Sequence, residues 1–589
     1  MESYRERLAI HRELVQRLKK AFNRLSFARL IVISGAIASG YFMIHHNGFV
    51  QTILFISCLI GFIFLMRVHL SVKKQLKLAR TLVQINEEEL AYLNENKLPF
   101  ADGNDLINEN HPYTYDLDIF GQQSLYQHLN RTKTDPGKKA LAAILLKRAS
   151  NQTIRDRQEA IEELTPLLEW RQLFTAKALL AKDSEKITDT LRTWNGEQQG
   201  IGVAVVVLSY LLPVLGGGLT LWGTLTEFNP LLLKLLGFIF TLNLIVLARF
   251  VKRMNAEIGF AEKINQTLMH YSELFRLFEE HNWKSPLLQD LHKNLTGKQS
   301  ASQSVHRLSR IFASLESLQN GFGAILFNGT LLFHLHTYRK LIGWKKTHAE
   351  QLSIWIEFIG EMESLLSMAN LAYNNPDFCF PEISEQPQLT FEELGHPMIS
   401  AKRRVTNSVD FTLHPFIVLT GSNMSGKSTF LRTLGVNMIL ANAGSVICAK
   451  AARVFPMDVL VSMRLSDSLT DNESYFFAEV KRLGEIMRVT EKERCFVLLD
   501  ELLRGTNSDD KRSGTIAVVR KLAEGNAIGV IATHDLEVCQ TTDEYPEKLV
   551  NKCFEVTIEN NELHFDYLLR DGICQNKSAT FLMQQMSVI

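Results

Sequence analysis

The chain has 589 residues, with 64 Lys+Arg against 63 Asp+Glu, 46% hydrophobic residues, 33 Gly and 14 Pro. This balance excludes a disordered or collagen-like protein and gives no global basic field, so any nucleic-acid contact must come from a local patch. The mean hydropathy of -0.02 resembles that of a soluble enzyme, but strongly apolar and strongly polar parts can cancel in such an average. The 7 cysteines are odd in number and show no C-x-x-C spacing, so neither a disulfide framework nor a zinc site is expected.

In chain order, residues 1–26 read as a basic cytoplasmic helix. No Asp, Glu, Lys or Arg lies between Arg29 and Arg67, and His45-His46-Asn47-Gly48 divides the stretch into two apolar arms. A transmembrane hairpin over 27–67 is expected, its shorter first arm helped by snorkelling. A secretory leader is a poor fit, because the apolar region is double and lacks an A-x-A site. Residues 68–119 read as an amphipathic connector and 120–195 as helical core. A second hairpin is expected within 196–252, from the runs Gly200 to Trp222 and Leu231 to Leu247. Buried hairpins in a large soluble core would show the same runs. Lys and Arg flank both hairpins and are missing from both inter-helix turns. An integral protein of the cytoplasmic membrane with four spans and both termini cytoplasmic is therefore expected. Residues 253–385 continue the helical core, and the apolar run Gly321 to Leu332, interrupted by Asn328, is expected to be core.

Residues 386–589 carry the chemistry. Phe416 to Thr420 reads as a buried strand leading into Gly421-Ser422-Asn423-Met424-Ser425-Gly426-Lys427-Ser428-Thr429, which is G-x-x-x-x-G-K-[ST] followed by a helix. Such a loop turns backbone N–H groups around phosphate oxygens at a helix N-terminus. ATP is the expected ligand, with Lys427 on the phosphates and Ser428 on Mg²⁺. A second strand, Cys495 to Leu499, ends in Asp500-Glu501. Asp500 is expected to hold Mg²⁺ and Glu501 to orient or deprotonate water, although two acids ending a strand can also be a solvated turn. A third strand leads to Thr533-His534-Asp535, where His534 is a candidate γ-phosphate sensor.

These motifs together resemble the MutS family of ATPases. Thr420 to Thr429 is similar to that family's T-G-P-N-M-G-G-K-S-T, Ala443 to Ala449 to A-G-x-x-V-P-A, Leu499 to Thr506 to M-D-E-x-x-R-G-T, and Ala532-Thr533-His534 to A-T-H. The resemblance implies an ATPase domain of the ABC/MutS P-loop type, preceded by an all-α core/lever domain that here carries the two hairpins. Ser466 to Val480 resembles the family stretch whose serine, here Ser474, reaches the nucleotide of the opposite protomer. A homodimer with composite sites is thus implied, although Ser468, Glu473 and Tyr475 depart from the pattern. Ser124 to Leu146, Arg157 to Leu164 and Glu350 to Tyr373 resemble the core and lever. The N-terminal hundred residues do not resemble the mismatch-reading domain, and Phe278-Glu279-Glu280 matches its Phe-x-Glu tripeptide only by coincidence.

The expected function is a membrane-anchored MutS-like ATPase that couples nucleotide state to its helical core. DNA is a possible ligand inherited from the resemblance. A mismatch or branched-DNA repair factor tethered at the membrane is an alternative. An ABC-type transporter is a further one, but Asp467 to Glu479 stands where an L-S-G-G-Q signature belongs. The clusters Arg339, Lys340, Lys345, Lys346 and Lys402, Arg403, Arg404 leave the DNA question open.

Overall fold

The structure, a computed structural model, describes residues 1–46, 49–95, 97–181, 183–184, 189, 194, 200–297, 299–319, 321–464, 475–559 and 562–574. Its N-terminal two thirds are mainly helical. Helices Glu2–His46 and Phe49–Glu95 form one antiparallel hairpin, and helices Val203–Thr226 and Pro230–Glu279 form another. All four are long and apolar enough to cross a membrane, and no more than 17% of any of their apolar windows is buried. In the second hairpin Pro230 opens its helix at a position where a missing N–H costs nothing, and Asn229 caps that helix by accepting from Leu232 N at 2.8 Å.

The polar stems of the hairpins run on without a break into the helical body. Tyr4 Oη donates to Asn374 Oδ1 at 2.9 Å, Arg7 to Gln172 at 2.7 Å, and buried Glu89 pairs with buried Arg131. The spine of this body is the 42-residue helix Phe333–Asn374, with helices Asp135–Leu146 and Asn151–Leu164 packed against it. Glu363 lies fully buried on the spine and accepts from Lys133 N at 2.8 Å, from Thr134 N at 3.1 Å and from the Thr134 hydroxyl. Burial pushes its carboxyl up to about 7. The Thr134 hydroxyl also caps helix Asp135–Leu146 by accepting from Gly137 N. A Cβ at Gly137 would overlap the Glu363 carboxylate, so glycine is required for this close approach.

Gly321–Leu331 departs from expectation. It forms a helix, but Phe322, Ile325, Phe327 and Leu331 are exposed. Apolar composition does not distinguish a core-facing helix from one whose neighbour is not protein, and only Ala324, Asn328 and Gly329 turn inward.

The C-terminal region is α/β. Its strands are β1 Glu382–Ile383, β2 Thr390–Leu394, β3 Asn407–Asp410, β4 Phe416–Gly421, β5 Ala451–Val454, β6 Asp458–Ser462, β7 Cys495–Asp500, β8 Ala527–Ala532, β9 Leu549–Glu559 and β10 Glu562–Asp571. The larger sheet has the order β10-β9-β4-β8-β7-β6, parallel except for the β10-β9 pair; a smaller sheet runs β1-β5-β2-β3. Strands β4, β7 and β8 are buried at every residue, as parallel strands covered on both faces must be. Alternation divides their side chains. Ile417, Leu419, Phe496, Leu498 and Val530 join helix Lys427–Ala443 and the helical body in one core, whereas Phe416, Val418, Val497, Leu499 and Ile531 join the other face with helices Tyr475–Thr490 and Ser508–Glu524.

Gly137→Ala is expected to destabilise the chain by roughly 1–3 kcal/mol through overpacking against Glu363. Gly259→Ala, on an open helix face, should be neutral or slightly stabilising. Thermal unfolding of the detergent-solubilised protein checks both, and equal midpoints for the two variants would remove the Glu363 argument.

Candidate functional site

The loop after β4 and Glu501 after β7 line one cleft of about 410 Å³, closed on its other sides by His396, Arg403, Phe554 and Tyr567. At the end of β4 the chain turns through Gly421 to Gly426 into helix Lys427–Ala443. Met424 and Gly426 both take positive φ, at 67° and 102°, and a Cβ on Gly426 would stand 3.0 Å from the Tyr567 ring. Glycine is needed there for conformation and for space. The Lys427 ammonium folds back to donate to Gly421 O at 2.8 Å and to Ser422 O at 3.0 Å. Burial holds it below the usual lysine range, partly offset by Glu501 and Asp500. The buried hydroxyls of Ser422 and Ser425 have no hydrogen-bond partner. A helix N-terminus, a lysine and unpaired hydroxyls around one loop form an anion-binding arrangement.

From β7, Asp500 accepts from the Ser428 hydroxyl at 2.6 Å, which places a carboxylate and a hydroxyl at one point beside the loop. The next residue, Glu501, has φ of 48°, a left-handed conformation that is uncommon for a non-glycine residue and clusters at functional sites. Its carboxylate contacts His534 Nε2 at the end of β8. The hydrogen bond from His534 holds the Glu501 carboxyl down at about 2 against the opposing effect of burial. Glu479 on helix Tyr475–Thr490 braces this turn by accepting from Leu503 N at 2.7 Å. Lys427, Ser428, Asp500, Glu501 and His534 therefore come together. Ser474, with Ser466 to Glu473, lies outside the described residues. A bound phosphate chain and a hard cation fit these donors and acceptors, because cationic, hydroxyl and carboxylate groups meet at one cradle.

Sequence reasoning missed one contributor. The segment after the first hairpin docks on the first half of helix Lys427–Ala443, at Arg432 and Gly435, and on the residues that follow β6. Asp116 accepts from Met463 N at 2.9 Å, Arg464 N at 2.7 Å and Arg482 at 3.0 Å, while Arg432 donates to Asp116 O at 3.2 Å. Asp118 pairs with Arg464 through two contacts at 2.7 Å. Nothing local marks Asp116-Leu117-Asp118, since its partners stand more than 300 residues away.

Lys345 and Arg404 of the basic clusters are engaged within the fold, whereas Lys340, Lys346, Lys402 and Arg403 are exposed, and Arg403 lines the cleft. Lys345 is buried against Glu257 at 2.8 Å and over the Trp194 ring, Trp344 donates to Ser304 O at 2.9 Å, and Arg404 covers Phe378. Phe278 is fully buried, stacked on Trp283, and so is no wedge.

A family model, MutS domain V, matches residues 417–587, which include the whole of this cleft's loop and both following strand ends. This C-terminal region is similar to the MutS family. The chain is 33% identical over 219 residues to the DNA mismatch repair protein MutS of Aquifex pyrophilus, covering 36% of this chain and 25% of that protein. It is 30% identical over 250 residues to MutS protein homolog 4 of Homo sapiens, covering 41% and 26%, and 32% identical over 197 residues to DNA mismatch repair protein MutS of Methanococcoides burtonii, covering 32% and 22%. The match thus spans about a quarter of each relative.

The carboxylate of Glu501 is expected to stay ionised down to about pH 2. A carboxyl whose folded value is depressed contributes stability above its unfolded value, near 4.5, and loses it as pH falls through about 2. His534→Ala should shrink that acid loss, lowering stability above about pH 5 and leaving it nearly unchanged near about pH 2. Unfolding midpoints measured from pH 2 to 6 check this, and superimposable profiles would remove His534 as the cause.

Proposed function

We propose that this MutS-like chain is a membrane-anchored, Mg²⁺-dependent ATPase whose nucleotide state is coupled to its helical body. The observation that carries the reading is the convergence of Lys427, Ser428, Asp500, Glu501 and His534 on one glycine-rich loop. Lys427 exchanges its two loop carbonyls for phosphate oxygens. Ser428 and Asp500 would hold the cation, which would supply positive charge against the negative charge that develops in phosphoryl transfer. Glu501, ionised and oriented by His534, accepts a hydrogen bond from the attacking water and takes its proton. His534 keeps that carboxylate turned toward the loop and answers to the terminal phosphate. Gly421 to Thr429 supply backbone N–H groups and two free hydroxyls to the remaining oxygens.

By family resemblance, Ser474 completes the site of a second protomer, so the working unit is a homodimer with composite sites. On this reading the protein is an integral protein of the cytoplasmic membrane with both termini and the ATPase region cytoplasmic, supported by four helices long and apolar enough to cross a membrane and by the basic residues that flank both hairpins. Two relatives carry the name DNA mismatch repair protein, and duplex or branched DNA is the second reading for a ligand.

With the detergent-solubilised full chain, Lys427→Ala and Glu501→Gln are each expected to lower ATP hydrolysis by about tenfold or more, and chelation of Mg²⁺ should abolish it. Wild-type rates in both variants would overturn the assignment. Homoduplex, mismatched and branched DNA titrated at several salt concentrations separate the two ligand readings. Stimulation that falls with salt supports DNA, and no binding at low salt removes it.

A further inference from the structure

Between helices Ala301–Glu316 and Phe333–Asn374 stands the 11-residue helix Gly321–Leu331. From Ser317 to Tyr338 the sequence holds no Asp, Glu, Lys or Arg, and it is bounded by Glu316 on one side and Arg339-Lys340 on the other. The helix sorts its side chains by size. Ala324, Asn328 and Gly329 are buried, whereas Phe322 is 86% exposed, Ile325 54%, Phe327 53% and Leu331 53%.

The small face packs on the second apolar hairpin. Asn243 Nδ2 donates to Gly329 O at 2.8 Å, and a Cβ at Gly329 would overlap the Phe240 ring, so glycine allows the two helices to approach. Just beyond, His336 donates to Ser209 O at 3.1 Å and Arg339 to Tyr210 Oη at 3.0 Å. Phe240 and Asn243 lie within two turns of Leu247, where that hairpin's apolar run ends beside Arg249, Lys252 and Arg253. The bulky face of Gly321–Leu331 is therefore continuous with the exposed apolar surface of the hairpin, near its basic end.

We propose that helix Gly321–Leu331 is a third membrane contact, lying beside the second hairpin in the cytoplasmic leaflet with Phe322, Ile325, Phe327 and Leu331 among the lipid chains. This inference rests on the membrane reading above and extends it to a segment that hydropathy assigns to the core. At about 16 Å the helix is too short to span a bilayer, and it has the length of a re-entrant or interfacial segment. Irregular backbone at that depth has to be buried in protein and hydrogen-bonded. The break after the helix meets both conditions. Leu332, with φ of 49°, is fully buried, Asn328 Oδ1 accepts from His334 N at 2.9 Å, and Asn328 Nδ2 donates to Ala324 O at 2.7 Å. Arg339 and Lys340 then stand where anionic headgroups would meet them. Because helix Phe333–Asn374 starts at this break, the end of the spine is held at the bilayer.

The test places the photoreactive residue benzoylphenylalanine singly at Phe322, Phe327, Val214 or Leu413 of the full chain, in vesicles of phosphatidylethanolamine and phosphatidylglycerol. Val214 and Leu413 are exposed controls, on the third apolar helix and in the α/β region respectively. Mass spectrometry after irradiation is expected to find lipid adducts at 322, 327 and 214 and none at 413. Adducts at 214 with none at 322 and 327, or cross-links from 322 and 327 to a second protein copy, overturn the third contact and leave the spans standing. Absence of lipid adducts at 214 as well overturns the membrane reading and this inference with it.

Discussion

From Thr433 to Ala443 every residue of helix Lys427–Ala443 is buried, and the rest of the structure depends on that burial. One side lies on the sheet through Leu498, and the other lies against the helical body, where a Cβ at Gly435 would press on Leu117 and one at Gly444 on Arg157. Two of its polar residues are tied inward rather than solvated. Asn437 donates to Gly395 O at 3.0 Å and accepts from Cys448 N at 2.8 Å, and Asn442 donates to Met457 O at 2.8 Å. A close-packed interior has little room to absorb a shift, so a displacement of this helix carries its neighbours with it. The loop that opens the helix is thus mechanically part of the helical body as well as of the sheet.

A second joint has similar character. Glu363 receives three hydrogen bonds at the start of helix Asp135–Leu146, and next to it Arg131 and Glu89 form a buried pair whose Glu89 also accepts from Asn370 at 3.0 Å. Buried charges of this kind add little net stability, because desolvation offsets most of the attraction. Their effect is registration. Removing one partner strands another, so only one alignment of the first hairpin's stem against the spine satisfies all of them.

The legible parts of the sequence were those with a local physical cause. Strands β4, β7 and β8 are continuous apolar runs because both faces of a parallel sheet are covered, and Gly426 and Lys427 stand at positions that only a phosphate-type loop demands. The apolar arms of the hairpins were legible because bilayer-scale length leaves a long uncharged stretch. What stayed hidden was settled by distant partners. Lys345 reads as part of a basic surface cluster until Glu257 and Trp194 are folded beside it. Asp116 reads as a connector residue until the end of β6 and Arg482, midway along helix Tyr475–Thr490, reach it. Gly321 to Leu331 was misassigned for a different reason, since hydropathy scores aversion to water and says nothing of what replaces it.

The continuity of the helices bears on how the two halves of the molecule communicate. Helix Pro230–Glu279 passes without interruption from its apolar run to Phe278, buried in the helical core, and its 50 residues make a rod of about 75 Å. Helices Glu2–His46 and Phe49–Glu95 likewise carry their apolar arms directly into stems anchored at Tyr4 and Glu89. Sharp bends in helices need a local cause such as proline, and none of these three helices contains one beyond Pro230 at the first position of its helix. Movement of the helical body therefore reaches the apolar ends as tilt or translation of whole rods. A flexible linker would have isolated the two ends from each other, and the sequence places none along these three helices.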